Sequence, residues 1–261
     1  MRALPVITVS PIDPDYNIDL VARWVSPGYN RANKTLPFAE SAYALFPELR
    51  GKISGGMTDA QIRKIVAPCV KRKLKENKRL IQKKTGYLQA YFQRINGALL
   101  AALADVHETR WPAGCQRIDC YAGYISRCPR NVITKKFWVS CTMDEEEIVR
   151  AAVHEMCHFM FYEKWKEIFG AVHPEDLGHP SPRWYLEEMA VDPLLNDVRI
   201  RAIVPLEHRA YPQFYSETIA GAAVMDHIKG FYADRDSVEG FIRNAYRFVE
   251  GNIEEIIAKC G

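Results

Sequence analysis

Long apolar runs are missing from this chain of 261 residues. No window approaches the roughly 18 consecutive apolar positions that a membrane-spanning helix needs. The first 17 residues carry Arg2, Pro5, Pro11, Asp13 and Asp15. They lack the unbroken apolar stretch and small-residue cleavage site of a secretory leader, so the expected location is the cytoplasm. Cysteine is sparse and odd in number, at seven. Cys115, Cys120 and Cys128 cluster loosely at a spacing that fits no zinc ribbon, so reduced thiols are expected rather than a disulfide framework. Internal repeats and low-complexity tracts are also lacking. The net charge of +3 is too small to imply a partner by itself.

What is present is an ordinary globular composition, 48% hydrophobic and 26% charged. The length suits one elaborated domain or two lobes. Positive charge is concentrated in one element. Lys71, Arg72, Lys73, Lys75, Lys78, Arg79, Lys83 and Lys84 face a single acid, Glu76, within residues 71–84.

Residues 1–56 are rich in proline and glycine, with a short alternating run at 6–9, and read as one early strand followed by irregular chain. Thr58 reads as the N-cap of a helix opening at Asp59. Helical periodicity then continues to about residue 107. It predicts two helices meeting near Thr85 and Gly86, the second with Leu88, Tyr91, Phe92, Ile95, Leu99 and Leu103 on one face. Residues 118–124 and 133–141 read as strands. Thr142 and Glu145 stand three apart as a capping box for a helix running to Phe169. Residues 174–182 read as loop, 184–195 as a short helix, and 217–258 as two helices broken around 233–236.

The predicted helix after Thr142 contains His154-Glu155-Met156-Cys157-His158, an HExxH motif. Positions i and i+4 share a helix face, so both imidazoles can reach one metal ion. Glu155 lies one step round, placed to act as general base on a water activated by that metal. Uncharged flanks, Ala151 to Val153 and Phe159 to Met160, mark an interior helix where unpaired histidines or a bare carboxylate would be costly. A third histidine of the metzincin type is ruled out by Phe161 and Lys164 at the positions that pattern requires.

Trp184-Tyr185-Leu186-Glu187-Glu188-Met189-Ala190-Val191-Asp192 resembles the downstream helix of gluzincin peptidases. Trp184, Glu187 and Ala190 are similar to the spacing frequent in the large aminopeptidase family. Glu188 and Asp192 are similar to the pattern of thermolysin-like members. The resemblance covers residues 133–192. It implies one zinc ion per chain held by His154, His158 and either Glu187 or Glu188, with Glu187 favoured. It further implies that Asp192 orients a ligand histidine and that 137–141 is an edge strand pairing with extended substrate. An oxyanion donor is expected beyond the helix, among His208, Tyr211 and Tyr215, with Tyr211 favoured. His173 and His179 lie in a loop that could line the site. The first 110 residues resemble no such peptidase, so substrate class is not carried over.

Two other classes stay open. The 71–84 segment could contact phosphates and make this a nucleic-acid-associated protein, or a peptidase acting on DNA-bound proteins. A fourth protein ligand, Cys157 or His179, would instead close the site as non-catalytic zinc binding. The expectation is an α+β, zincin-like chain: a small mixed sheet and the HExxH helix in 1–170, and a helical C-terminal lobe in 171–261. Its function is expected to be zinc metallopeptidase, acting on peptide or protein substrates without a membrane.

Overall fold

The computed structural model describes residues 4–32 and 38–261. The chain is mixed α+β with a small sheet. It divides into two compact units, each assembled from separate runs of sequence: 6–94 with 117–152, and 4–5 with 95–116 and 153–261.

The first unit opens with strand β1 (Val6–Pro11), followed by helices α1 (Pro14–Val25), α2 (Pro27–Ala32), α3 (Phe38–Leu45) and α4 (Asp59–Glu76). The N-terminal part of α5 (Lys78–Val106) also belongs to it. Strands β2 (Arg117–Gly123), β3 (Arg130–Asn131) and β4 (Lys136–Ser140) follow, then the start of α6 (Glu145–Phe169). The sheet order is β1-β2-β4-β3, with β1, β2 and β4 parallel and β3 antiparallel to β4. Parallel neighbours require a long crossover, and α1 to α5 occupy the one between β1 and β2.

The proline-rich start is therefore largely helical, not irregular. Its prolines stand where helices begin, at Pro14 and Pro27, and where a 3-10 turn begins, at Pro47. There the missing N–H has no partner to lose. Asp13 completes the first cap by accepting from the N–H of Tyr16. The buried face of α1, Ile18, Val21, Trp24 and Val25, packs with Ile62, Val66, Cys69 and Val70 of α4. Phe46, Leu49, Ile125 and Trp138 complete that core. Gly123 ends β2 beside Ile12, where an added Cβ would lie 2.5 Å from the Ile12 Cγ2. No larger residue fits that approach without moving one of the two backbones.

Thr58 is the N-cap of α4, as the sequence implies, and the cap is a capping box completed by Gln61. The helix break falls at Asn77 rather than at Thr85 and Gly86. Asn77 turns both its N–H and its side-chain Nδ2 to the carbonyl of Lys73. Ile81, Lys84, Leu88 and Phe92 are all buried at three- and four-residue steps. That continuous buried face carries α5 through Gly86 against the roughly 1 kcal/mol preference for breaking there.

Two further boundaries move. Only 136–140 of the expected 133–141 strand is extended, because Asn131 Oδ1 accepts from the N–H groups of Ile133 and Thr134 in a local turn. β4 is not the outermost strand either, since β3 pairs with its Lys136 and Phe137. The capping box of α6 is Asp144 with Glu147, the side chains and N–H groups bonding reciprocally at 2.8 and 3.0 Å. Thr142 turns its hydroxyl to Ser140 instead.

The second unit holds the end of α5, the rest of α6, then α7 (Pro182–Leu195), α8 (Val198–Arg201) and α9 (Gln213–Ser216). A two-stranded hairpin, β5 (Thr218–Ile219) and β6 (Ala222–Ala223), leads into α10 (Val224–Ala233), α11 (Val238–Gly251) and α12 (Ile253–Cys260). Gly170, at φ 86°, ends α6 in the left-handed conformation that glycine adopts freely. The break around 233–236 stands where expected, but the C-terminal helical stretch contains a third helix restarted at Asn252. Ser181 caps α7 by accepting from the N–H of Trp184. From Arg183 to Leu195 every residue of α7 except Trp184 is buried. Helices α10 and α11 pack against it. Among the described residues no helix is long and apolar enough to cross a membrane.

Candidate metal centre

Helix α6 sets His154 and His158 one turn apart on a single face, with ring centroids 4.6 Å apart and ring planes at 75°. The helix around them is interior: Val153, Met156, Cys157, Phe159 and Met160 are all buried, as is Glu155. Helix α7 brings up two consecutive buried acids, Glu187 and Glu188. Neighbours on a helix diverge by roughly 100°, so the two carboxylates cannot serve one point. Glu188 gathers with the histidines, its Oε2 3.4 Å from Nε2 of His154 and its Oε1 3.8 Å from Nε2 of His158. Glu187 meets His158 at the other nitrogen, Oε1 to Nδ1 at 2.9 Å, and its Oε2 lies 2.7 Å from Nη1 of Arg183. The sequence favours Glu187 over Glu188 as the third donor; in the structure it is Glu188 that clusters with both histidines.

Among the described residues, His154, His158 and Glu188 offer donor atoms that all lie within 4.8 Å of one another. At a tetrahedral centre with bonds near 2.0–2.1 Å, adjacent donors are about 3.3 Å apart. The Glu188 oxygens stand 3.4 and 3.8 Å from the two imidazole nitrogens, near that spacing, and the three donors all lie within 4.8 Å. Two imidazoles and one carboxylate also form the donor set of catalytic zinc sites, which keep a fourth position open. Neither residue considered for closing that position is among the clustered donors. Cys157 Sγ lies 3.5 Å from Nε2 of His107, and His179 Nε2 lies 3.1 Å from the Tyr185 hydroxyl.

The chain matches no protein-family model, no characterised protein and no solved structure.

Asp192, expected to orient a ligand histidine, bonds elsewhere in the contacts that define its place. Its carboxylate accepts from the Tyr215 hydroxyl, from Asn196 Nδ2 at 3.2 Å and from Lys229 Nζ at 3.1 Å. Tyr215 is thereby a clamp: its oxygen also accepts from the N–H of Ala210, and burial, with Asp192 beside it, pushes its pKa up to about 12. His208 is buried, and its backbone N–H and carbonyl both bond to the Asn196 side chain. Tyr211 is exposed and stacks on Trp184, with centroids 6.2 Å apart. Trp184 stands one helical turn before Glu188 on α7. His173 is exposed at the start of a 3-10 turn.

Sequence reasoning missed His107. It is fully buried at the end of α5, with Nδ1 2.7 Å from the Leu103 carbonyl, which makes Nδ1 the protonated nitrogen and Nε2 the acceptor facing Cys157. Only the pairing of a terminal helix residue with position 157 reveals it, and no local pattern encodes that. Burial is the main cause lowering its pKa to about 4. The unfolded chain takes up this proton near pH 6.5, and the folded chain refuses it until about pH 4. The contribution to stability is full above about pH 6.5 and is lost as the pH falls towards 4, by about 2–3 kcal/mol. Denaturant midpoints at neutral and mildly acid pH should therefore fall further for the wild type than for His107→Phe. Equal losses would refute this account.

The basic run of 71–84 is divided between α4 and α5 and is partly neutralised. Arg72 pairs with Glu48 and Glu76, Lys73 with Glu76, and Lys83 with Glu145, while Lys84 is buried. Lys71, Lys75, Lys78 and Arg79 remain exposed on a solvated surface.

Proposed function

We propose that this chain is a zinc-dependent peptidase of the gluzincin type, holding one zinc ion with His154, His158 and Glu188 and using Glu155 as general base. One observation carries the reading. Three donor atoms from two helices converge within 4.8 Å, beside a buried acid that is not among them.

When bound, zinc supplies a water of lowered pKa and polarises the carbonyl to be attacked. The protein does the rest. Glu155 takes a proton from the attacking water on its carboxylate oxygen and returns it to the departing amine nitrogen. It stands one step round α6 from His154, so its carboxylate would meet a water on the metal without being a donor. Its burial keeps bulk water from competing for the carboxylate. Tyr211 is the candidate hydroxyl for the developing oxyanion. It is the most exposed of the three residues considered, and its ring rests on Trp184 one turn from Glu188. The substrate is a peptide or protein chain.

Metal content and hydrolysis test the reading together. Purified protein supplied with zinc should hold one ion per chain and cleave members of a mixed peptide library, and a chelator should stop the cleavage. A chain that takes up no zinc under those conditions returns His154 and His158 to the core as ordinary buried histidines.

A further inference from the structure

We infer that Glu187 and Arg183 are positioning residues for the metal site: Arg183 fixes the Glu187 carboxylate, and Glu187 holds the His158 ring so that Nε2 faces Glu188. This rests on the metal centre proposed above.

A neutral imidazole presents one lone pair and one N–H, and the bond made by one nitrogen decides what the other offers. Glu187 Oε1 lies 2.9 Å from Nδ1 of His158. A carboxylate this close to Nδ1 favours the proton on that nitrogen and leaves the lone pair to Nε2. Nε2, on the other edge of the ring, lies 3.8 Å from Oε1 of Glu188. Through its Nδ1 contact Glu187 bears on both the tautomer and the angle of the ring.

Glu187 is held in turn. Its second oxygen takes Nη1 of Arg183 at 2.7 Å, one helical turn earlier on α7, and both side chains are almost wholly buried, at 2% and 1% exposure. The Arg183 guanidinium lies 5.8 Å from the ring centroids of Phe161 and Tyr162 and 5.4 Å from that of Trp165. All three rings belong to α6, within two turns of His158. Nε and Nη2 of Arg183 are buried and find no hydrogen-bond partner. Glu187 therefore satisfies what the guanidinium satisfies at all, and turning the carboxylate away would strand a buried cation. The chain of contacts closes on itself: aromatic rings of α6 fix Arg183, Arg183 fixes Glu187, and Glu187 fixes a histidine of α6.

Stability alone is a poor reason for such a pair. A buried ion pair exchanged for well-packed apolar residues is often neutral or even stabilising. An account in which the pair aims a ligand gives it work that apolar residues cannot do. Asp192, the acid that the gluzincin pattern would assign to this duty, is occupied by Tyr215, Asn196 and Lys229.

The experiment measures zinc affinity of the full chain by competition with a chromophoric chelator, the visible spectrum of the cobalt(II)-loaded protein, and thermal unfolding of the metal-free form. The proteins compared are wild type, E187Q, E187D, R183M, the E187Q/R183M double variant and E188A. We expect E187Q to bind zinc about 10–100-fold more weakly, with a changed cobalt spectrum. R183M should weaken zinc less, and the double variant should bind no worse than E187Q, because Arg183 acts through Glu187. If E187Q does not fold, E187D reads the same contact by keeping the charge and withdrawing it by one methylene. Variants that unfold earlier but bind zinc within about twofold of wild type, with an unchanged cobalt spectrum, would overturn the positioning role in favour of a structural one. So would a loss in E187Q equal to that of E188A, since Glu187 would then be a ligand. A wild type that binds no zinc sinks the metal centre itself, an outcome distinct from either.

Discussion

Glu155→Gln should leave the zinc in place and remove hydrolysis. Glutamine matches glutamate in shape, so the buried space around position 155 stays filled and α6 keeps its packing. The change removes only the ability to take a proton. Glu155 is not among the clustered donors, which are His154, His158 and Glu188. Zinc stoichiometry should therefore be the same in both proteins. General-base catalysis contributes typically about 10²–10⁴-fold, and kcat on a cleaved peptide should fall by that factor while KM stays near its wild-type value. Steady-state kinetics with elemental analysis of the same preparations decides the matter. A variant that keeps its zinc and more than a tenth of the wild-type kcat would take Glu155 out of the mechanism, because a positioned base contributes at least about 10²-fold.

The second large effect concerns stability. A metal that binds only the folded chain stabilises it by mass action, by about 4 kcal/mol when free zinc stands at 1,000 times its dissociation constant. For a chain of this size each kcal/mol moves the melting temperature by roughly 2–4 °C. Chelation of the wild type should thus lower Tm by about 8–16 °C. Glu188→Ala should melt at one temperature whether or not chelator is present, because α6 alone offers two donors and the third is gone. His158 of that variant keeps the Glu187 carboxylate 2.9 Å from its Nδ1 whether or not zinc is bound. Scanning calorimetry on the two proteins, each with zinc and with chelator, gives the four values needed. A wild-type Tm that ignores chelator would count against zinc as part of the folded protein, and a Glu188→Ala protein that responds like the wild type would release Glu188 from the donor set.

The two histidines were legible because a helix repeats its face every three to four residues, so a five-residue motif fixes their mutual placement before any tertiary contact is known. The acid was less legible. Glu187 and Glu188 are adjacent, and local periodicity cannot say which face of α7 meets α6. The deciding residue is Arg183, an i, i+4 partner that claims Glu187. A buried arginine cannot be told from a surface one by its letter, although an Arg–Glu pair at that spacing is a signal that can be looked for. Helix ends were misplaced where two candidates competed: Asp144 with Glu147 prevailed over Thr142 with Glu145, and Thr142 was taken by Ser140. The early helices were obscured by reading prolines as breakers, when at Pro14 and Pro27 they start helices. His107 lay beyond sequence reasoning altogether, because its partner is 50 positions away.

Helix α7 turns almost no side towards water between residues 183 and 195. A surface helix can exchange half its residues over evolutionary time without harm, but a change at nearly any point of this one must refill a closed space or abandon a paired charge. Its letters should consequently drift slowly. Descendants and cousins that have lost every other likeness should still carry an arginine four residues before a double glutamate, downstream of two histidines a helical turn apart.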